Sequence, residues 1–273
     1  MTPKHLARTV LATSLSLFLA SGHAKTPVAI GTGGAVATIS EQASQAAMTI
    51  LNKGGNAVDA AVAAAATLGV TDPFSCGIGG GGFMVVYLAK EKRVITIDHR
   101  ETAPAAATPS PFMEDGREAD FDEMVASGAS VGVPGTVRGW HEALNRYGTM
   151  SFKDVLQPAI GVATKGFPVT EIFSHLTTEN ETKFRRFAST SALYLKDGKA
   201  LPVGHVIRNP GMAKAYREIA ANGYKAFYHG TMARAIVDAV NKPPVATGVK
   251  VRGGSMTMAD LANYESRIRQ PVR

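Results

Sequence analysis

Gly54-Gly55-Asn56-Ala57-Val58-Asp59-Ala60-Ala61-Val62-Ala63-Ala64-Ala65-Ala66-Thr67-Leu68-Gly69-Val70 is the stretch from which the fold can be built. Asn56 followed three residues later by Asp59 marks a helix start, because each side chain can satisfy a backbone N–H of the first turn. Gly54-Gly55 closes an earlier helix that Ser40 caps and that runs to about Asn52. From Ala57 to about Val70 the second helix is apolar almost all round. A helix without a polar face belongs inside a protein, against more than one neighbour. Asp72-Pro73 stops it, since the residue before a proline is pushed out of the helical region.

Outward from this helix, Val28 to Thr38 has the composition of a short apolar strand interrupted by Gly31, Gly33 and Gly34. On the other side Gly77 to Gly82 leads into Phe83 to Ala89. There Phe83, Val85 and Tyr87 point one way and Met84, Val86 and Leu88 the other, so both faces are apolar, as in a strand held between layers. Lys90-Glu91-Lys92 turns the chain into Val94 to Asp98, which predicts an antiparallel hairpin.

After Pro104 a stretch rich in Pro, Ala and acids predicts a surface loop up to Asp122. Gly135 to Tyr147 is a helix closed by Gly148. Ser151 with Asp154 caps another, bent by Pro158 and ended by Gly166. Short helices are expected in the polar stretch from Thr170 to Pro210, then helices over Met212 to Asn222 and Thr231 to Asn241. Thr257 with Asp260 starts a last one ending near Tyr264. Arg267 to Arg273 has the character of an opening strand with no closing element after it, which suggests a truncated chain or one piece of a larger molecule. No internal repeat or linker divides the chain, so one domain over residues 25–273 is the simplest organisation.

Met1 to Ala24 has the layout of a secretory signal. Lys4 and Arg8 precede an apolar run from Val10 to Ala20, and Gly22 and Ala24 stand where a signal peptidase needs small residues. The run is shorter than the roughly 20 residues that a membrane span requires. The expectation is a cleaved signal and an exported protein, periplasmic or secreted, with no membrane attachment afterwards. The formal charge of +7 becomes 7 − 2 = +5 once Lys4 and Arg8 leave. The remaining bases are scattered and no basic stripe with interleaved aromatics occurs, which argues against a nucleic-acid partner. Cys76 is the only cysteine, so no intrachain disulfide is possible, and a buried inert thiol accounts for it better than a nucleophile.

Gly77-Ile78-Gly79-Gly80-Gly81-Gly82 satisfies the dinucleotide pattern G-x-G-x-x-G, but here a helix precedes and a strand follows, the reverse of what phosphate binding needs. Phe83 and Met84 stand where a Walker loop has Lys and Ser or Thr. The glycines fit close backbone approach at a crowded corner. Gly128-Ala129-Ser130-Val131-Gly132 matches the nucleophile elbow G-x-S-x-G, although Val133-Pro134-Gly135 interrupts the helix an elbow requires. A structural Ser130 is the simpler account and a Ser esterase the alternative. The seven histidines show no metal-ligand spacing, and His141, His175, His205 and His229 suit surface or packing roles. Asn180-Glu181-Thr182 is a glycosylation sequon, with meaning only in a eukaryotic secretory pathway. Arg100, in Asp98-His99-Arg100-Glu101-Thr102-Ala103-Pro104, follows the hairpin at a strand's end. A guanidinium there can clamp a carboxylate through two parallel hydrogen bonds, or form an ordinary surface ion pair with Asp98 or Glu101. On the residues alone the ion pair is the simpler account.

Three signatures in order change that balance: Gly54 to Ala64, Gly77 to Phe83, and Arg100-Glu101-Thr102-Ala103-Pro104. Val133-Pro134-Gly135-Thr136-Val137, Arg146-Tyr147-Gly148-Thr149, Gly166-Phe167-Pro168-Val169, Leu261-Ala262-Asn263-Tyr264 and Arg269-Gln270-Pro271-Val272 continue the series. Together the chain resembles the large-subunit portion of a γ-glutamyltransferase (glutathione hydrolase). The resemblance implies an α+β fold, the αββα sandwich of N-terminal-nucleophile hydrolases, incomplete in this chain. It implies an exported precursor that cuts itself into two subunits and a Thr nucleophile at the new N-terminus of the small one. That Thr would attack the γ-carbonyl of glutathione or another γ-glutamyl compound. The γ-glutamyl group would then pass to an amino acid, a dipeptide or water. Arg100 is the substrate-binding residue the resemblance assigns, through the α-carboxylate of the γ-glutamyl group. It implies no cofactor and no metal, and it places the catalytic residues on the small subunit, leaving this chain inert alone. A glutaryl-type acylase of the same fold is the nearest alternative.

Overall fold

The computed structural model describes residues 30–108, 110, 112–114 and 116–271. The expected signal, Met1 to Ala24, lies outside them. The chain divides into two units, Met1–Ala35 and Val36–Arg273. In the first, residues 30–35 carry no helix or strand, and the architecture below is that of the second.

Two helices open it. Helix α1 (Glu41–Asn52) starts at Ser40, whose side chain accepts from the Ala43 N–H, and it buries Ala43, Ala46, Ala47 and Ile50 along one stripe. Helix α2 (Ala57–Thr71) starts at Asn56 with the complete capping box to Asp59 that the spacing predicts. The two pack against each other across the Gly54-Gly55 turn. Most of α2 is buried as its composition requires, with one exception: Ala61 is exposed and Ala65 and Leu68 are half-buried, a stripe at helical spacing along a cleft.

Strands β1 (Phe83–Leu88) and β2 (Arg93–Asp98) form the expected hairpin, in a register that pairs Phe83 with Asp98 and Leu88 with Arg93. Next in the chain come a small hairpin of β3 (Met113–Glu114) and β4 (Arg117–Glu118), the short helix α3 (Phe121–Val125), and a 3₁₀ turn at Gly128–Ser130. The segment predicted as plain surface loop therefore contains a hairpin. Helix α4 (Thr136–Tyr147) ends at Gly148, as expected. Helix α5 (Phe152–Val155) carries the Ser151–Asp154 box, but it stops at Leu156 and helix α6 (Gln157–Lys165) begins there. Pro158 thus does not bend one helix. It occupies the first turn of a second, where its missing N–H costs nothing.

Strand β5 (Phe167–Pro168) precedes helix α7 (Glu171–Arg185), a 15-residue helix in the stretch expected to hold only short ones. Thr170 caps α7, and Phe173 anchors it among Phe74, Phe167 and Tyr194. Helix α8 (Ala188–Tyr194), strands β6 (Leu195–Lys196), β7 (Lys199–Ala200) and β8 (Val206–Ile207), and helices α9 (Pro210–Asn222), α10 (Lys225–Tyr228) and α11 (Gly230–Asn241) follow. Helix α12 (Met258–Ala262) has the predicted Thr257–Asp260 box. Strand β9 (Arg267–Arg269) pairs antiparallel with β2, so the main sheet runs β1-β2-β9 and β1 is an edge.

One face of that sheet lies on helices. Ile95 and Ile97 of β2 are fully buried against Val58 of α2 and Ala143 of α4, with Met84, Val86 and Leu88 of β1 beside them. The other face is open: Phe83, Val85 and Tyr87 are 60%, 69% and 63% exposed. A strand covered on both sides was expected, and among the described residues nothing covers this second face. The strand predicted from Val28 to Thr38 is also missing over residues 30–38, where Gly33 turns to φ 99°, outside any ladder geometry.

Candidate active site

Between the C-terminal end of α2 and the start of β1 lies a cleft of about 790 Å³, with Gly79 to Gly82, His99, Arg100, Glu101, Thr136 and Trp140 in its wall. The glycine run earns its composition here through contact. Gly82 and His99 close the hairpin with a reciprocal pair of hydrogen bonds, 3.3 and 2.9 Å. A Cβ on Gly81 would lie 2.3 Å from the His99 carbonyl oxygen, so only glycine lets the two backbones pass. The Gly80 carbonyl accepts from Gly135 N, Thr136 N and Thr136 Oγ1 at 2.8, 3.0 and 2.9 Å. This docks the start of α4 on the run.

Gly135 is the tighter of the two approaches. A Cβ there would lie 2.1 Å from the His99 carbonyl oxygen and 2.1 Å from Tyr264 Oη. Gly135→Ala is expected to lower stability by more than about 3 kcal/mol, the upper range for overpacking, since backbone on one side cannot yield. Gly161→Ala, in α6 with nothing within 4 Å, is the matched control and should not destabilise. Urea midpoints of the two variants check this.

Arg100 sits at the rim with its backbone pinned. Its N–H donates to Asp98 Oδ1 at 3.1 Å, and its carbonyl accepts from Tyr264 Oη at 2.7 Å. Next to it, the Val133 N–H donates to the Thr102 carbonyl at 2.8 Å. The side chain is by contrast 61% exposed, and its Nη1 stands 3.4 Å from Glu101 Oε2. The ion pair with Glu101 that the residues suggested is therefore present. Asp98 is engaged elsewhere, by Arg269 Nε at 2.5 Å. A pair this long, with its guanidinium end in solvent, is worth roughly 0–1 kcal/mol, too little to keep the guanidinium from an incoming carboxylate.

Electrostatics at the rim are uneven. Burial alone would raise the Asp98 carboxyl, but hydrogen bonds from Arg269 and the Arg100 N–H, with the charges of Arg269 and Arg267, leave it below the usual range. Burial, assisted by the charges of Asp98 and Glu101, pushes the Tyr264 hydroxyl up to about 12, so it stays a donor at neutral pH. Burial lowers His99 against the opposing pull of its own backbone and of Asp98 and Glu101. His99 Nδ1 is buried without a hydrogen-bond partner, and Glu101 Oε2, also buried, has only the 3.4 Å ion pair with Arg100; both belong to cleft residues. Unsatisfied polar atoms are uncommon in native interiors; these two belong to the cleft wall, while others among the described residues, such as Asn241 Oδ1 and Ser266 Oγ, lie elsewhere.

His141 behaves like His99. It stacks on Tyr224 at 4.2 Å, and burial with the nearby Arg138 charge depresses it. Both imidazoles are held neutral in the fold and take up a proton more readily when unfolded. Stability should then be full above the ordinary histidine pKa of about 6.5 and fall as pH drops through the depressed values. Denaturation midpoints at pH 7.5 and 5.5 should differ in that direction, and His141→Gln should shrink the difference.

The remaining candidates stand apart. Ser130 lies in the 3₁₀ turn rather than at a strand-to-helix elbow, and its hydroxyl donates to the Ser127 carbonyl at 2.9 Å. It faces a separate apolar pocket with Phe112, Met113 and Phe121. Cys76 is in the cleft wall, yet burial and the Asp72 charge push its thiol up, against the thiolate a nucleophile needs. Asn180 of the sequon is inside α7 and donates to the Leu176 carbonyl at 2.9 Å. His175 meets Glu179 at 3.4 Å on the surface of the same helix. Residues whose part in the site was not foreseen are His99, Thr136 and Tyr264. The only sequence signal for the last two was their membership of ordered signatures, which says nothing about contact.

A sheet laid on helices along one face, with a glycine-walled cleft at the strand ends, fits the helix-on-sheet layering of the N-terminal-nucleophile hydrolase fold. Solved structures of that fold superpose on the chain. The γ-glutamyltranspeptidase of Helicobacter pylori matches with a TM-score of 0.82 and 31% identity, covering 90% of this chain and 68% of that one. The "Glutathione hydrolase proenzyme" of Bacillus subtilis (strain 168) is 42% identical over 246 residues, which is 90% of this chain and 40% of the relative. "Acylase ACY 1 proenzyme" of Pseudomonas sp. (strain SE83) is 39% identical over 251 residues, 90% of this chain and 43% of the relative. The family model described as Gamma-glutamyltranspeptidase matches residues 43–273. The chain belongs to the γ-glutamyltranspeptidase family. It spans about 40% of the length of the curated relatives it matches.

Proposed function

We propose that this chain forms the donor-recognising half of an enzyme that transfers or hydrolyses γ-glutamyl groups, with glutathione as a representative donor. The observation that carries the proposal is the exposed guanidinium of Arg100 on a pinned backbone at the rim of the cleft. A rigidly presented guanidinium can clamp the α-carboxylate of a γ-glutamyl group with two parallel hydrogen bonds. The acyl chemistry would come from a Thr on a complementary small subunit. Its hydroxyl would attack the γ-carbonyl, expel the amine as leaving group, and pass the acyl group to an amino acid, a dipeptide or water.

The open sheet face supports such a partner. Phe83, Val85 and Tyr87 form an exposed apolar row on an edge strand, and such an edge is a template for further pairing. The name "proenzyme" given to the Bacillus and Pseudomonas relatives supports a processed precursor. Export through Met1 to Ala24, to the periplasm or beyond, is proposed on the layout of that segment, and the mature enzyme would be free of the membrane. Among the described residues no helix is long and apolar enough to cross one.

A second function has a specific support: the similarity to an acylase, for which a glutaryl group would supply the same reacting carbonyl and the same remote carboxylate without the α-amino group. The two are separated by turnover of γ-glutamyl and glutaryl anilides, with the complementary subunit present. We expect at least tenfold preference for the γ-glutamyl compound and no turnover by this chain alone. Equal or better turnover of the glutaryl compound would make the enzyme an acylase.

A further inference from the structure

We propose that Tyr264 is a positioning residue for Arg100, holding the backbone from which the guanidinium reaches the donor; the proposal rests on Arg100 being the carboxylate clamp. Tyr264 lies just after α12, 164 residues along the chain from Arg100, and its hydroxyl donates to the Arg100 carbonyl at 2.7 Å. The donor is itself fixed. The Tyr264 ring stacks on Tyr228 at 6.0 Å between centroids and 8° between planes. Tyr228 in turn donates to the Pro134 carbonyl at 2.8 Å and accepts from Arg138 N at 3.1 Å. Tyr264 Oη therefore sits on a rigid stack rather than a mobile loop.

The other side of Arg100 is tied to the same stretch of chain. Asp98 accepts the Arg100 N–H and also takes Arg269, and β9 extends the sheet beside it, pairing Asp98 with Arg267. The segment from Tyr264 to Arg269 thus grips Arg100 at its carbonyl and, through Asp98, at its N–H. Gly135 leaves room for the grip, because any Cβ there would meet both the His99 carbonyl oxygen and Tyr264 Oη. An exposed side chain gains accuracy only from its backbone, and a loosened clamp loses affinity for ligand before it loses chemistry.

The test compares Tyr264→Phe, Arg100→Ala and the double variant in the enzyme assembled with its small subunit, reading KM and kcat for a γ-glutamyl anilide. Tyr264→Phe keeps the stacked ring and removes only the donor. We expect KM to rise about fivefold with kcat within twofold, as for loss of one hydrogen bond that acts on binding. The double variant should be no worse than Arg100→Ala alone, since the tyrosine acts through the arginine. Arg269→Gln, at an exposed contact, should also raise KM and provides the readout if Tyr264→Phe does not mature. A raised KM for Arg100→Ala beside an unchanged one for Tyr264→Phe overturns the positioning role and leaves the clamp intact. Additive losses in the double variant likewise reduce Tyr264 to a structural part. An unchanged KM for Arg100→Ala removes the clamp and the positioning role together.

Discussion

Asp59→Ala is expected to cost about 3–5 kcal/mol of stability, the range for stripping a buried charged group from its partners. Asp59 is 0% exposed. It accepts from Asn56 N at 2.8 Å, from Thr149 N and Thr149 Oγ1 at 3.0 and 2.7 Å, and from Met150 N at 3.1 Å. Alanine would leave those donors buried or half-buried with nothing to accept them. The loss would also separate the start of α2 from the turn after α4, which Asn56 Nδ2 bonds independently through the Tyr147 carbonyl at 2.6 Å. For a chain of this size the corresponding drop in Tm is roughly 5–10 °C. Urea denaturation of this chain with and without the substitution measures it. Asp59→Asn should recover only part of the loss, because its NH₂ faces donors. Asp154→Ala is the contrast: that box is exposed, and only about 0.5–1 kcal/mol is expected.

What could be read from the chain beforehand follows the range of the forces involved. The Asn56–Asp59, Ser151–Asp154 and Thr257–Asp260 caps were legible because a cap joins residues three apart. The β1–β2 hairpin was legible for the same reason. Helix α7 is longer than its sequence predicts because Glu and Thr are its commonest residues and only Phe173 and Thr177 are buried, too few to show a helical period. The capping box at Asp59 was foreseen, but not its bonds to Thr149 and Met150, which lie 90 and 91 residues away. Composition cannot encode such contacts.

Arg100 shows the same limit at the site. Its neighbours Asp98 and Glu101 predicted a surface ion pair, and one with Glu101 is there. The cleft beside it is made by Gly80, Gly81, Thr136 and Trp140, brought together by docking of α4 on the glycine run. The ordered signatures pointed to a carboxylate clamp where local chemistry did not. Tyr264 closes one of those signatures, but its contact with Arg100 is invisible there, since a hydroxyl-to-backbone bond across 164 residues leaves no trace in a local pattern.

The second large effect concerns Arg100 itself. A charge-assisted pair of hydrogen bonds to a carboxylate contributes about 2–3 kcal/mol once a ligand excludes water from it, or roughly 30- to 150-fold in binding. The ion pair with Glu101 offsets little of this, being 3.4 Å long with its guanidinium end in solvent. Because the α-carboxylate is remote from the γ-carbonyl, the clamp contributes equally to ground and transition states, so its loss falls on KM rather than kcat. Maturation should survive, since the side chain is exposed. The decisive measurement is steady-state kinetics of the assembled enzyme and its Arg100→Ala variant on two anilides, γ-glutamyl and 4-aminobutyryl, which lacks the α-carboxylate. A carboxylate clamp predicts that KM for the γ-glutamyl compound rises roughly 30-fold or more while the 4-aminobutyryl compound is handled equally by both enzymes. Equal losses on both compounds, or an unchanged KM for the first, would contradict it.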